Sequence, residues 1–268
     1  MTDPKLSILL PVRDEGVNLR IMLQILQAVL EIPHEVLVVC DSTEDSSIPV
    51  VQELQTHYPS HLQLVINDLG RGVVNAIRAG IAEARGEFVL IFAADEVGPV
   101  LAISDMLELA DSGCQFVSCT RYAHGGRRLG GSLVGGILSR TANRLFHRMS
   151  GCVLTDATTG IKLFSRDIFD ALNLEANPVG WAVAFEMSIK AQMLGLKLGE
   201  VPIVSIDRLY GGTSTFRLGP WVKEYMRWFW WGVRNLRKSN RRQDEPVHVR
   251  VPTPASLIGM GDRAPREK

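Results

Sequence analysis

The sequence predicts an α/β fold, with a mostly parallel sheet flanked by helices. Three observations predict it. Short continuous apolar runs recur along the first half, as in strands buried on both faces. Between them lie stretches with apolar residues at helical spacing. The runs end in polar or acidic residues: RDE after the first, DSTED after the second, DLGRG after the third and DE after the fourth. In sheets of this kind ligands bind outside the carboxyl ends of the strands, so these tips mark one binding edge.

LSILLPV (6–12) is the first buried strand. In VNLRIMLQILQAVLE, residues Leu19, Met22, Leu23, Leu26 and Leu30 share a helical face. EVLVVC (35–40) and LQLVIN (62–67) are the next two strands. RGVVNAIRAGIAEARG places Val73, Ile77, Gly80, Ile81 and Ala84 at helical spacing. EFVLIFA (87–93) is a fourth strand and QFVSC (115–119) a fifth. The second half is less regular. A helix is expected over 130–149, a polar turn then a strand and a helix start over 156–167, a helix over 180–195 and a strand over 197–207. From about Ser239 the chain is charged and without periodicity, which predicts a disordered tail over 239–268.

At 46% hydrophobic, the 268 residues can bury a substantial core. The 29 basic and 29 acidic residues cancel, so no global field argues for nucleic acid. Four cysteines form no CxxC pair and no histidines cluster at zinc spacing, so buried thiols in a reducing compartment are expected. The N-terminus lacks the pattern of a signal peptide, and no apolar stretch is long enough for a span. A cytoplasmic protein, peripheral on the cytoplasmic face of a membrane, is the expectation. The turn after the first strand, PVRDEGVN, holds only Gly16 where GxGxxG would sit, which counts against a dinucleotide enzyme.

Several separated segments, in order, carry a more specific signal: PVRDEGVNL, VVCDSTEDSS, LGRGVVNAIRAGIAEARGEFVLIFAAD, TRYAHGG, SRTANRL, DATTGIKLFSR, FEM and EVPI followed by DRLYGGTS. Together they resemble the family 2 glycosyltransferases, over roughly residues 5 to 235. The similarity is to the branch of polyprenyl-phosphate synthases of the dolichol-phosphate mannose type. The resemblance implies the GT-A nucleotide-sugar-binding fold over 1–215. Departures are visible. Asp14 replaces an Asn, Cys40 stands at a first Asp, Thr159 replaces a Ser and Thr215 a Lys. The Asp-x-Asp motif reads Ala93-Ala94-Asp95, and Val97 stands where the branch often has Gln.

The resemblance assigns a nucleotide pocket to Pro11, Val12, Arg13, Glu15, Asp41, Gly70, Arg71, Gly72, Ala93 and Ala94. Asp41 would accept a base N–H; the alternative is a turn or helix cap. Arg71 points to phosphate in one reading and to solvent in the other. Asp95 would hold a divalent cation, Mg2+ or Mn2+, on the diphosphate. Three outcomes follow from the lost first acid: the metal is held by Asp95, diphosphate and water; arginines replace it; or activity is lost. Glu96 would help only if the backbone turned sharply there.

Arg121 and Arg140 would orient an acceptor phosphate, which needs no strong general base. Asp156 would contact sugar or acceptor, or simply form a turn. Glu186, on an apolar helix face, needs a partner: a sugar hydroxyl, an arginine or water. Arg208 is the main candidate for closing over the diphosphate, with Arg217 a substitute.

Over 216–238 Trp221, Tyr225, Trp228, Phe229 and Gly232 lie on one helical face, with basic residues continuing to Arg242. That predicts an amphipathic helix touching an anionic membrane surface through Trp221–Arg242, or one docking its stripe on the domain. The expected activity is an inverting transfer from a nucleoside-diphosphate sugar to a polyprenyl phosphate. Its rivals are transfer to a soluble or glycan acceptor, and a catalytically weak nucleotide-binding relative.

Overall fold

A computed structural model describes residues 3–58, 60–130, 133–206, 218–238 and 246–252. The chain runs β1 (Leu6–Val12), α1 (Gly16–Val29), β2 (His34–Cys40), α2 (Ile48–Leu54), β3 (His61–Ile66), α3 (Val73–Glu83) and β4 (Phe88–Ile91). A 3-10 turn over Gly98–Ala102 leads into α4 (Ile103–Asp111), then β5 (Phe116–Thr120), β6 (Arg127–Leu129), α5 (Leu133–Ser150) and β7 (Lys162–Ser165). The remainder is α6 (Phe169–Leu172), α7 (Ala182–Met193), β8 (Leu198–Pro202), β9 (Val204–Ile206), α8 (Leu218–Lys238) and β10 (His248–Val249).

The five expected strands are present. The fourth is shorter than its apolar run, because Phe92 and Ala93 leave the ladder before a turn. The sequence pattern does not predict helices α2 and α4 or strands β6 and β10. The large sheet has the order β10-β8-β5-β7-β4-β1-β2-β3, and only β7 runs antiparallel to its neighbours β4 and β5. The register pairs Val12 with Cys40 and Cys40 with Ile66, so the tips of β1, β2 and β3 end level. The chain leaves β1 for β2 on one side and returns to β4 on the other. The crevice between β1 and β4 is therefore a topological switch point.

The alternate residues of each strand feed two cores. On β1, Leu6, Ile8 and Leu10 face α1, α2 and α4; Leu9, with Val39 of β2, faces α3, α7 and α8. Gly80 of α3 lies against Leu9: a Cβ there would stand 2.7 Å from its Cδ2, so the helix approaches the sheet closely only because the residue is glycine.

Two C-terminal expectations are corrected. The aromatic stripe of α8 faces the domain. Trp228 is 2% exposed and Phe229 is buried, with the Phe229 ring 5.4 Å from Phe146 of α5 and Tyr225 stacked 6.2 Å from Phe185 of α7. Gly232 admits Phe146, which a Cβ would meet at 2.7 Å. Buried Glu224 accepts from Asn177 N at 3.0 Å, Asn177 Nδ2 at 2.7 Å and Trp228 Nε1 at 3.0 Å. The helix is thus part of the domain's core, and that stripe is not a membrane contact. The tail is also partly placed: β10 extends the sheet on β8, and Arg250 donates to Asp105 at 2.6 Å. Pairing and a charged anchor hold this short strand, neither of which composition reports. If the stripe is core, Trp228→Ala lowers unfolding free energy by about 3–5 kcal/mol. Trp230→Ala, at a site 55% exposed, stays within about 0.5 kcal/mol. Chemical denaturation of both variants checks this.

Candidate active site

The residues expected to line a nucleotide pocket follow the tips of β1, β2, β3 and β4. The turn after β1 is stapled to the loop after β2: Asp14 N donates to Asp45 Oδ2 at 3.0 Å and Glu15 N to Ser47 Oγ at 3.1 Å. Glu15 accepts from Asn18 Nδ2 at 2.6 Å. Pro11 and Glu15 are half-buried, Val12 is buried and Arg13 is exposed. Asp41 caps a turn, as its alternative reading had it. Its Oδ2 accepts from Gly72 N at 3.0 Å and its Oδ1 from Asn67 Nδ2 at 2.7 Å, while Asn67 also donates to Gly70 O at 2.7 Å. One carboxylate thereby orders the Gly70-Arg71-Gly72 loop. Gly70 and Gly72 have φ of 96° and 125°, which side chains rarely adopt, and Gly72 packs under Pro178. Arg71 is exposed at the loop's tip.

At the end of β4, Glu96 N donates to Ala93 O at 3.3 Å, closing a turn over Ala93, Ala94 and Asp95. The sharp bend that Glu96 required is there. Ala94 is buried and Asp95 half-buried. Among the described residues no group of three His, Cys, Asp or Glu is placed to hold a metal. This donor set fits a magnesium-like ion that takes phosphate oxygens and keeps water, with Asp95 as the protein's carboxylate; it does not fit a closed protein cage.

Across the β4 tip lies a second, buried polar cluster. Arg121 follows β5, and Asp156 lies in the turn leading to the antiparallel β7, which brings both to the same edge. They form a bidentate pair: Arg121 Nε to Asp156 Oδ2 at 2.7 Å and Nη2 to Oδ1 at 3.0 Å. Asn143 of α5 donates to Asp156 Oδ1 at 3.2 Å and to Thr158 Oγ1 at 2.8 Å. Burial alone would raise the Asp156 pKa, but the Arg121 guanidinium and then Lys162 hold it below the usual carboxylate range. Burial likewise disfavours the Arg121 cation, and Asp156 more than restores it, with smaller help from Glu96.

Two residues not singled out from the sequence complete this cluster. Glu200 of β8 is buried and accepts from Thr155 N at 2.9 Å, Thr155 Oγ1 at 2.8 Å and Asp156 N at 3.3 Å. Burial pushes its pKa up to about 7, against the Thr155 hydrogen bonds. Lys162 is fully buried, donates to Ser118 Oγ at 2.7 Å, and is pushed down by burial to about 8. The signals were a Lys inside the apolar run IKLF and a Glu in the middle of a strand. Each needs a buried partner, which the linear sequence does not identify.

The acceptor-side expectations are revised accordingly. The fork of Arg121 is engaged by Asp156, so it serves the fold before any phosphate. Arg140 is exposed on α5 and stands outside the Arg121–Asp156–Asn143 network. Glu186 takes no sugar. It is fully buried, accepting from Glu175 N at 2.5 Å and Ala176 N at 2.7 Å, and pairs with Lys190 at 2.7 Å. Arg208, Thr215 and Arg217 lie outside the described residues. All four cysteines are buried without disulfides, and burial pushes the Cys40 thiol up to about 12.

Residues 7–172 match the family described as Glycosyl transferase family 2, more than half of the chain. The chain belongs to glycosyl transferase family 2. It is 24% identical over 226 residues to the dolichol-phosphate mannosyltransferase of Pyrococcus furiosus, covering 83% of this chain and 62% of that one. It is 26% identical over 214 residues to the undecaprenyl-phosphate 4-deoxy-4-formamido-L-arabinose transferase of Klebsiella pneumoniae, covering 78% of this chain. It therefore spans 62% of the length of these relatives. Glucosyl-3-phosphoglycerate synthase of Mycobacterium tuberculosis, solved with Mn2+, UDP and glucosyl-3-phosphoglycerate, shares the fold at TM-score 0.64 and 17% identity, over 86% of this chain and 80% of that one. The GT-A expectation stands. Among the described residues of this family 2 glycosyltransferase, no helix is long and apolar enough to cross a membrane.

Two outcomes follow from the buried cluster. Arg121→Ala strands the Asp156 charge and lowers stability by about 3–5 kcal/mol, part of which a second change, Asp156→Asn, restores; denaturant melts of the single and double variants read it. Glu200 binds its proton more tightly folded than unfolded. Its contribution is complete below the ordinary carboxyl value of 4.5 and is lost as pH rises through about 7. Glu200→Gln mimics the protonated form, so its melting temperature relative to the parent rises between about pH 5 and pH 8. A flat difference would show that Glu200 titrates normally.

Proposed function

We propose that this chain transfers a sugar from a nucleoside-diphosphate sugar to a polyprenyl-type phosphate, with inversion. The observation that carries the reading is the placement of Asp95 in a turn at the switch point, between the Asp41-ordered glycine loop and the Arg121–Asp156 cluster. Asp41, Glu15 and the backbone from Pro11 to Arg13 line the nucleotide side, and Arg71 reaches toward phosphate from the loop tip. An oxygen of the acceptor phosphate attacks the anomeric carbon, and the bond to the diphosphate breaks. A divalent cation bound by Asp95 would neutralise charge on the leaving diphosphate.

An anionic acceptor is favoured over a hydroxyl acceptor by what the carboxylates are doing. A hydroxyl needs a general base. The Asp156 oxygens are taken by the Arg121 guanidinium and the Asn143 amide, which makes it a weak base, and the Glu186 oxygens are buried on two backbone N–H groups and a lysine, so neither acid is presented to an acceptor hydroxyl. Exposed Arg140, and Arg208 outside the described residues, are the residues assigned to the acceptor and diphosphate. A lipid acceptor puts the transfer at a membrane surface, on the cytoplasmic side in this reading. Ala93 favours a second reading, a catalytically weak nucleotide binder, because it removes a carboxylate from the turn.

Incubation of membranes carrying the full chain with radiolabelled UDP- and GDP-sugars and polyprenyl phosphate tests this. Labelled lipid is expected with Mg2+ or Mn2+ and lost with chelator, and Asp95→Ala lowers it by ~10²-fold or more. Nucleotide binding with no labelled lipid from any donor sinks transfer to a polyprenyl phosphate and leaves a different acceptor or the weak binder.

A further inference from the structure

A buried polar row beside the Arg121–Asp156 pair has no part in the transfer as proposed. Ser118 of β5 is in register with Lys162 of β7 on one side and with Glu200 of β8 on the other, so the three side chains stand in line across the sheet. They share the face of Phe116, Phe164 and Leu198, which is covered by α5, α7 and α8. All three are buried, and Lys162 Nζ donates to Ser118 Oγ at 2.7 Å. At its Glu200 end the row meets two hydroxyls. Thr155 Oγ1 donates to Glu200 Oε2 at 2.8 Å and lies 2.7 Å from Thr120 Oγ1, which accepts from Tyr122 N at 3.3 Å. Thr120 and Tyr122 flank Arg121 in the chain. Glu200 Oε1 also takes Asp156 N at 3.3 Å. Both members of the Arg121–Asp156 pair therefore hang on one carboxylate.

A proton on that carboxylate reverses the order of the hydroxyls. While Glu200 is ionised, Thr155 gives it its only proton and accepts from Thr120. A proton on Oε2 is donated to Thr155 instead, and Thr155 turns its own proton to Thr120. Thr120 is fully buried, so its hydroxyl then loses its acceptor, a cost that a shift of residues 120–122 relieves. The charged groups facing Glu200 are Asp156 from the turn, Lys162 from β7 and His124 from the β5–β6 loop, whose Nε2 stands 3.9 Å from Oε2. The Cys119 and Cys152 thiols also sense its charge, and burial holds both protonated. Tyr225 of α8 faces the Arg121–Asp156 pair. Arg250 of β10 turns away to Asp105 and Glu108 of α4, on the other face of the sheet. Burial places the titration of Glu200 near neutral pH, at about 7. We propose that Glu200 is a positioning residue of the site: through Thr155 and Thr120, its proton decides where Arg121 stands against Asp156.

That this serves sugar transfer rests on the function proposed above; the coupling itself is read without any sugar. In the purified full chain labelled with nitrogen-15 arginine, the Arg121 Nε–H resonance is assigned by its loss in Arg121→Lys. It is expected to move with pH, with a midpoint of about 7. In Glu200→Gln, which keeps the shape and fixes the neutral form, it stays at its acid position throughout. In Thr155→Val, which cuts the hydroxyl link, it hardly moves. In His124→Gln it moves as in the parent. In the membrane transfer assay at saturating donor, the parent's rate rises roughly tenfold through the same midpoint with the donor KM unchanged, and Glu200→Gln is flat at the lower rate. A purely structural Glu200 would change the melting temperature and leave both pH profiles alone.

Four results would overturn the proposal: a parent resonance that does not titrate, one that titrates equally in Glu200→Gln, one that His124→Gln abolishes, or transfer that ignores pH while the resonance moves. Should Glu200→Gln not fold, Thr155→Val decides, and undiminished movement there is equally fatal. A titrating resonance with no labelled lipid upholds the coupling of Glu200 to Arg121 and removes only the acceptor it was to serve.

Discussion

A carboxylate removed from water must be met by donors, and much of this molecule's second half is arranged around that requirement. Asp156, Glu186, Glu200 and Glu224 are all buried. Each is answered by donors within hydrogen-bond reach, and each answer fixes a loop. Asp156 holds the segment after β5 through Arg121. Glu200 holds the turn at Thr155 and Asp156. Glu186 takes the backbone of Glu175 and Ala176, and Glu224 takes Asn177 in the same stretch. That stretch carries Pro178 onto Gly72. The glycine loop on the nucleotide side is thus braced from α7 and α8, far along the chain. The sheet alone would bring the strand tips level. The buried acids give the loops above them one shape.

This explains why the two halves of the candidate site differ in character. Around the glycine loop the polar groups are half-exposed and their bonds are to backbone N–H and to short side chains, so a ligand can compete for or add to them. Across the β4 tip the charges are buried and mutually satisfied. Burial pushes both Arg121 and Asp156 toward neutrality, and each restores the other's charge. Residues in that state preserve geometry.

The sheet was legible because its strands are buried on both faces and so read as continuous apolar runs, and because each run stops at the edge where polar residues begin. Asp41, Gly70, Gly72 and Asp95 were legible for the same reason: they follow strands in sequence. Helix α2 has only seven residues, and α4 follows a proline-containing turn, so neither offered a long periodic window. Strand β10 depends on pairing with β8 and on Arg250 meeting Asp105, which are long-range facts. Glu200 and Lys162 escaped for a related reason: their significance lies in the buried cluster they share, and they are far apart along the chain.

The helix α8 shows where pattern stops short of meaning. An aromatic face beside a basic one satisfies both docking on a protein core and lying on lipid, because each environment accepts apolar rings and leaves cations wet. Only the rest of the fold decides. Phe146 and Phe185 present aromatic surface that needs covering, and Gly232 lets a ring pass between the helices. The stripe with the larger rings and the glycine therefore goes inward. What remains outside is the weaker stripe, Val222, Met226 and Trp230.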